Sequence, residues 1–439
     1  MSLTESTVAL LQDLIRNGCV NDMTADSGHE VRNADTLEAF FGGVDGVRVE
    51  RFEPHPGRVS IAFTIGGSDP DAEPLTLLGH TDVVPVDEEK WTVDPFGGLE
   101  RDGKIYGRGA TDMLYITAAM AACVRDVALS GVRPRGTLTF VGLADEEARG
   151  GLGAGWLSKQ DTGISWKNCL SEEGGSHLPV SDGSDALIVV VGEKGAAQRR
   201  LTVHGDAGHG SAPFGRDLAV ARIAEVARRI ATYEPPVRSD DIWEGYVRAW
   251  KFDPSTEQAL FEGSGFEAFG RLEQYSHAMS HLTIAPTVLR AGGAINVLPS
   301  TAYLECDIRP LPGQTQDEVD EVLRDALGDL ADSVKITRLI SEPGSISPTS
   351  GPLYEAIVDT FEEFFPGVPV VPTIAAGGSD LRFSRFDGGV GYGFALHRRG
   401  ETLGSVLGRL HTHDEYVDVE DVDLTTRAYR SLIRRFVGA

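Results

Sequence analysis

Histidines and carboxylates recur in short groups along this chain, each directly after an apolar or glycine-rich stretch. The groups are His80 and Asp82 in LLGHTDVVPV, Asp112 in GRGATDM, Asp145, Glu146 and Glu147 in LADEEARGG, Glu172 and Glu173 in SEEGG, and His411, His413, Asp414 and Glu415 in RLHTHDEYV. Imidazole and carboxylate are ligands that zinc takes in proteins, and a carboxylate can bridge two metal ions. Taken together as an ordered set, these residues indicate a metal centre.

The electrostatics of the acidic triplet at 145–147 also indicate a metal centre. Like charges packed this closely repel one another and raise each other's pKa. Two divalent cations would cancel the repulsion and lower the carboxylate pKa values. Each group has an ordinary structural explanation when taken alone, such as a polar loop or a hydrogen-bonded histidine. Our hypothesis is that the triplet is tolerated because metal binds to it.

The elements that position these residues follow from the hydrophobic pattern. Apolar runs at 76–80, 137–144 and 186–193 predict buried strands, and the segment 116–129 between the first two predicts a helix. This alternation is typical of a layered α/β domain. The candidate residues therefore lie at strand ends or in loops, where α/β sheets build their sites.

The pattern changes near Gly195. Alternating strands at 198–205, 281–290, 301–310 and 333–340, with helices at 217–233 and 315–327, give the split β-α-β-β-α-β order. Thr315 and Glu318 have the spacing of a capping box. We expect a smaller domain at 195–312, with its end as late as 342, enlarged by an aromatic segment around Trp243 that we interpret as local core. The α/β pattern returns at 351–365, so residues 1–194 and 313–439 form the catalytic domain around an insertion.

Composition excludes several classes of protein. The 439 residues carry a net charge of −26, which disfavours a nucleic-acid partner because phosphate backbones need clustered Lys and Arg. The four cysteines are far apart and predict reduced thiols in a cytoplasmic enzyme. The N-terminus lacks the pattern of a signal peptide, and we expect no stretch with the ~18 apolar residues that span a membrane.

The ordered motifs resemble those of the M20 metallopeptidases, which include aminoacylases, glutamate carboxypeptidases, dipeptidases and succinyl-diaminopimelate desuccinylases. The matching elements are GHTDVVPV, WTVDPF, GRGATDM, DEEARGGLGA, SEEGG, GHGSAP, GGAINVLPS, DIRPLPGQT, GGSDLRF and HTHDEYVDVEDV, and they cover nearly the whole chain. The resemblance implies a zinc-exopeptidase-like α/β catalytic domain, a mixed sheet flanked by helices. It also implies an inserted ferredoxin-like α+β domain that serves as lid and dimerisation domain.

The resemblance also implies a site with two divalent metal ions, zinc first and cobalt or manganese as alternatives. Its ligands would be His80, Asp112, Glu147, Glu173 and His411, with Asp112 as the bridge. Glu146 would be the general base for the water between the metals, and Asp82 would orient His80 through its second ring nitrogen. The family spacing favours His411 over His413, and Glu173 over Glu172 because it directly precedes the glycine.

Substrate-binding residues follow from the same resemblance. His209 would stabilise the oxyanion from the lid of a partner subunit, so the resemblance implies a homodimer. Asn296, Arg309 and Arg382 match positions that bind a substrate carboxylate or line its pocket. A guanidinium suits a carboxylate because its fork binds both oxygens.

The expected activity is metal-dependent hydrolysis of an amide bond in a small N-acyl amino acid or dipeptide that has a free carboxylate. One departure from the family pattern leaves alternatives open. In the family, the bridging aspartate and the residue after it are usually followed by Lys-Gly. Here Leu114 and Tyr115 stand at those two positions. A non-peptide amide is therefore a second candidate substrate. A metal-dependent binding protein without catalysis is a third reading, which the presence of Glu146 disfavours.

Overall fold

The computed structural model describes residues 1–439. Its strands are β1 Arg48–His55, β2 Arg58–Ile65, β3 Leu75–His80, β4 Leu99–Arg101, β5 Lys104–Tyr106, β6 Leu138–Leu143, β7 Asn168–Ser171, β8 His177–Pro179, β9 Asp185–Glu193, β10 Arg199–His204, β11 Gly208–His209, β12 Thr283–Ala291, β13 Val297–Leu298, β14 Thr301–Arg309, β15 Lys335–Arg338, β16 Ser345–Ile346, β17 Val370–Ala375, β18 Val390–Gly393 and β19 Tyr416–Asp418. Its α-helices are α1 Leu3–Arg16, α2 Val31–Phe41, α3 Tyr115–Ser130, α4 Ala154–Leu157, α5 Ala219–Thr232, α6 Asp241–Ala249, α7 Pro254–Phe261, α8 Glu273–Ser280, α9 Gln316–Leu327, α10 Pro352–Phe364, α11 Leu381–Phe386, α12 Leu403–Leu407 and α13 Val419–Val437.

A large mixed sheet forms the centre of the molecule, in the order β1-β2-β6-β3-β7-β18-β9-β16, with β8 and β17 also paired to β9. The three predicted strands are β3, β6 and β9. Strand β3 runs parallel to both β6 and β7, and every residue of β3, β6 and β7 is buried. Continuous burial of apolar strands is what a parallel sheet covered on both faces requires.

Helix α3 is the central helix of the main hydrophobic core, where it packs against α1 and α13. Together with the turn before it, it forms a 21-residue stretch, Ala110–Ser130, whose length and hydropathy would suffice to cross a membrane. The expectation that no stretch is this apolar is therefore wrong. However, 72% of its most apolar window is buried inside the protein, because it covers the central sheet.

A second sheet has four strands in the order β12-β14-β10-β15, and α5 and α9 pack against it around a separate apolar core. These elements follow the predicted β-α-β-β-α-β order. Thr315 caps α9 through the predicted capping box with Glu318. Because α9 and β15 belong to this sheet and its core, the small unit extends past residue 312.

The aromatic segment around Trp243 packs elsewhere than we expected. Trp243 and Tyr246 of α6 are buried in a cluster with Ile188 of β9 and Val371 of β17. This segment therefore covers the large sheet rather than enlarging the small one. The local pattern identified it as core but carried no information about which sheet it covers.

Candidate metal centre

The carboxyl ends of three neighbouring strands carry the principal candidate residues. His80 is the last residue of β3, the acidic triplet follows β6, and Glu172 directly follows β7. Because β6, β3 and β7 are adjacent and parallel, these three ends meet at the same edge of the sheet. Asp112 enters from the irregular turn Ala110–Leu114, and His411 from the loop before β19.

Two clusters of ligand atoms meet at Asp112. On one side, His80 Nε2 lies 3.1 Å from Asp112 Oδ1 and 3.6 Å from Glu172 Oε2. On the other side, His411 Nε2 lies 3.1 Å from Asp112 Oδ2 and 3.5 Å from Glu147 Oε2. In each cluster the ligand atoms lie within 4.8 Å of one another. Asp112 therefore presents one oxygen to each histidine, as a bridging carboxylate would.

The geometry corrects the choice between Glu172 and Glu173. Glu172, not the predicted Glu173, lies against His80 and Asp112. The backbone of Glu173 adopts a left-handed φ of 66°, and Glu173 belongs to neither cluster. His411, rather than His413, lies against Asp112 and Glu147, although both histidines are exposed.

The electrostatics of the protein groups alone favour a bound cation. Burial and neighbouring carboxylates raise the pKa of Glu146, Glu147 and Glu172. Burial would also raise the pKa of Asp112, but hydrogen bonds with His411 and His80 outweigh it and hold that pKa low. Hydrogen bonds to Asp112 and Glu147 raise the pKa of His411 to about 10. Excess buried negative charge and a donor set of imidazoles and carboxylates both fit divalent metal ions.

A wide cleft opens over both clusters. Its charged lining includes Asp112, Glu146, Glu147, Arg149, Glu172, Glu173, Lys194, Arg309, Glu342, Arg382 and His411. The Glu146 side chain belongs to neither cluster of ligand atoms but faces this cleft beside Glu147. Glu146 is thus placed to contact a molecule bound in the cleft.

Asp82 holds the acidic loop more directly than it holds His80. Its two carboxylate oxygens accept the backbone N–H groups of Glu146 and Glu147 at 3.2 and 3.1 Å. The ring nitrogen Nδ1 of His80 lies 3.0 Å from the Asp82 carbonyl oxygen but 3.6 Å from its carboxylate. We predicted that Asp82 orients His80 through its second ring nitrogen. The structure differs in the atom involved, because this nitrogen contacts the backbone oxygen of Asp82 and not its carboxylate.

A buried ionic network that the sequence analysis missed lies beneath the same loop. Arg58 donates to Glu30 Oε1 and to Asp145 Oδ1, both at 2.7 Å, and all three side chains are buried. Asp145 has a left-handed φ of 70°, a strained conformation for a residue with a side chain. Asn21 also donates to Asp145 and to Asp82. These contacts fix the backbone from which Glu146 and Glu147 project.

Replacing Arg58 with methionine should lower the free energy of unfolding by about 3–5 kcal/mol. Loss of the guanidinium leaves the carboxylates of Glu30 and Asp145 buried without their cation. Chemical denaturation would measure the change. Arg48→Met, on the neighbouring strand but half-exposed, is the matched control and should leave stability nearly unchanged. Equal effects from the two variants would contradict a supporting role for the buried network.

Glu415 holds the loop of Asp112 in place. One oxygen of this fully buried carboxylate accepts the N–H groups of Thr111 and Asp112, and the other is paired with Arg108 at 2.5 Å. Glu415 lies four residues after His411. The loops that supply Asp112 and His411 are therefore tied together.

The predicted substrate-binding residues are divided between two places. Arg382 and Arg309 line the wide cleft, although Arg309 is also paired with Asp307. Nη1 and Nη2 of Arg382 donate to the carbonyls of Ser379 and Arg149. His209, in β11, and Asn296, directly before β13, are exposed and do not line the cleft of their own chain.

A third group of close carboxylates, formed by Glu401, Asp418 and Asp421, has a different role. The guanidinium of Arg398 contacts all three, at 3.1 Å from Glu401 and 3.0 Å from Asp418. An arginine already supplies the positive charge there. This group therefore anchors the loop that leads to His411.

Comparison with known proteins identifies the family to which this chain belongs. A family described as peptidase family M20/M25/M40 matches residues 76–435. The chain belongs to the M20 peptidase family. The human N-fatty-acyl-amino acid synthase/hydrolase is 30% identical over 337 residues, which are 73% of this chain and 66% of that protein. A succinyl-diaminopimelate desuccinylase from Rhodospirillum centenum is 28% identical over 98% of both chains.

Solved structures agree on the fold. An M20 metallo-carboxypeptidase from Sulfolobus solfataricus superposes with a TM-score of 0.71 at 16% identity and covers 99% of both chains. The predicted α/β fold with a second, smaller sheet is confirmed. M20 membership makes this protein a hydrolytic enzyme of a metal-dependent family, and the predicted family and enzyme class are confirmed with it.

Proposed function

We propose that this M20 protein hydrolyses the amide bond of small carboxylate-bearing substrates, N-acyl amino acids or dipeptides, at a two-zinc centre. The observation that carries the proposal is Asp112, shared between a His80–Glu172 cluster and a His411–Glu147 cluster with Glu146 alongside. The names of the relatives, an N-fatty-acyl-amino acid hydrolase and a desuccinylase, support amide hydrolysis next to a carboxylate.

The two clusters give the ligands of each ion. His80, Asp112 and Glu172 would hold one ion, and Asp112, Glu147 and His411 the other. When bound, such ions polarise the scissile carbonyl and lower the pKa of water toward neutrality. Imidazole and carboxylate ligands also accept cobalt and manganese, so either could replace zinc.

Glu146 performs the proton transfers in this proposal. Its carboxylate accepts a proton from the attacking water and returns it to the nitrogen of the leaving amine. Burial, and the carboxylate of Glu172 nearby, raise the pKa of Glu146 and make it a stronger base than an exposed glutamate. Asp82 fixes its backbone, so the base keeps its position through both transfers.

The cations of the wide cleft would bind the substrate carboxylate. Arg382 faces the cleft from α11 and Arg309 from the end of β14. Lys194 and Arg149 also line the cleft, but the ammonium group of Lys194 donates to two carbonyls and to Thr283, and Arg149 is paired with Glu342. Arg382 and Arg309 have partners within the protein as well, so the family resemblance, rather than a free guanidinium, supports these two arginines as the anchors.

We extend the proposal to a homodimer in which the partner contributes His209 and Asn296 across the lid. Both are exposed, and the segments that flank the β11–β13 pair also expose the apolar side chains of Phe214 and Ile295 fully to solvent. Sedimentation at micromolar concentration should then report two chains per particle. A monomer with full activity would contradict the contribution of a second subunit.

We place the enzyme in the cytoplasm, because all four cysteines are free and buried. Fractionation of cells that produce the protein tests this placement. Recovery of the protein outside the cytoplasm would contradict it.

The test of function is amine release from a panel of N-acyl amino acids and dipeptides. We expect activity with zinc, cobalt or manganese, loss of activity after treatment with a chelator, and recovery when metal is restored. Protein with two metal ions per chain that releases amine from no member of the panel would contradict the proposal. Release only from amides without a carboxylate would favour the non-peptide alternative, for which Tyr115 in place of glycine is the motivating feature.

A further inference from the structure

A second, narrower space opens off the wide cleft at the metal cluster, and we call it the apolar chamber. Nine of its sixteen lining residues are hydrophobic, and six of these are aliphatic: Ile116, Val190, Leu403, Val406, Leu407 and Leu410. Asp112, Glu172 and Glu173 line both spaces and therefore mark the opening between them. The two spaces thus meet where the scissile bond would lie.

The charged groups divide unequally between the two spaces. Arg309 and Arg382 line only the wide cleft, as do Glu146 and Glu147. No lysine or arginine lines the apolar chamber, and its acidic groups are those at the opening. A substrate held by its carboxylate in the wide cleft would therefore direct the other side of its amide bond into the chamber.

Tyr115 contributes an aromatic ring to the wall of the chamber. Its side chain is buried in the chamber wall, and its hydroxyl lies 3.2 Å from Nε2 of the buried His397. The M20 pattern has glycine at this position, which would leave the volume of the phenol ring open. The carbonyl oxygen of His397 contacts the ring of His177. Tyr115 and His397 therefore give the chamber an aromatic section of wall.

We propose that the apolar chamber binds the acyl group of the substrate and selects uncharged, apolar acyl chains, with Tyr115 setting their maximum length. This inference rests on the proposed function, since it assigns the two halves of an N-acyl amino acid to the two spaces. The chamber encloses about 40 Å³, so only the first methylenes of the chain should each raise kcat/KM about fourfold, and longer chains should gain nothing further.

The same geometry disfavours an acyl chain that ends in a carboxylate. A succinyl group would bring a negative charge past Glu173 into a space that no lysine or arginine lines. Burying an unpaired charge is strongly unfavourable. We expect kcat/KM for an N-succinyl amino acid to be at least about 100-fold below that of the N-butanoyl compound, which has the same four-carbon chain.

The experiment measures kcat/KM for one amino acid carrying acetyl, butanoyl, hexanoyl, octanoyl or succinyl groups. Tyr115→Ala should move the optimum to longer chains, and Tyr115→Phe should keep the wild-type optimum because it retains the ring. Leu407→Phe, at a partly exposed wall position, should move the optimum to shorter chains. It also keeps the test available if Tyr115→Ala does not fold. Leu129→Phe, at an exposed site outside both spaces, is the matched control.

The outcomes separate the two proposals. Hydrolysis with the same chain-length profile in all variants, or with succinyl preferred over butanoyl, overturns the assignment of the chamber and leaves the proposed function standing. No hydrolysis of any compound by metal-loaded protein overturns both. A shift of the optimum in opposite directions in Tyr115→Ala and Leu407→Phe supports both.

Discussion

Replacement of Glu146 with glutamine should lower kcat by about 10²- to 10⁴-fold, the usual contribution of a general base. The amide keeps the size of the side chain but cannot accept the proton of the attacking water. Glu146 lies outside both clusters of ligand atoms, so we expect the variant to retain its metal ions. Steady-state kinetics and metal analysis of the same preparation would test both expectations.

A measurement of thermal stability shows whether Glu146→Gln has lost only its base or also its fold. Without metal, burial and the nearby carboxylates of Glu172, Asp380 and Glu147 raise the pKa of Glu146, so its charge opposes folding. A neutral glutamine relieves this repulsion, and the thermal midpoint of the metal-free protein should not fall. Glu88→Gln, at an exposed position in a surface turn, is the control and should keep full activity. Unchanged turnover in Glu146→Gln would remove Glu146 from the mechanism.

Local patterns in the sequence predicted the positions of His80, Asp112 and the acidic triplet. Parallel buried strands are recognisable as apolar runs, and the residues after them must lie at the sheet edge. The capping of α9 by Thr315 was predictable for the same reason, because the signal lies within one turn of helix. Family motifs added His411, which a pattern of turn residues alone would not have distinguished from His413.

Contacts between distant parts of the chain were not predictable in this way. Arg58 supports Asp145 across 87 positions of sequence, and Glu415 holds Asp112 across 303. No local period marks either residue, since a buried ion pair depends on which strands become neighbours. The aromatic segment around Trp243 shows the same limit, because its burial was predictable and its partner sheet was not.

The pair Glu172→Gln and Glu173→Gln gives the second large expected effect. Glu172→Gln removes a carboxylate that lies against His80 and Asp112. Loss of an outer partner of a metal ligand alone weakens binding about 10- to 100-fold, so loss of a ligand should cost more than about 100-fold. We expect this variant to retain one ion per chain after dialysis and to lose activity. Competition with a chromophoric chelator would measure the affinity.

Glu173→Gln is the matched control, because the same substitution is made one residue along the chain. Burial raises the pKa of Glu173 to about 7, and its carboxylate lies outside both clusters, so we expect it to keep two ions. The reverse result, with metal lost only from Glu173→Gln, would mean that Glu173 and not Glu172 is the ligand. The pair therefore tests the assignment of the metal ligand in a single measurement.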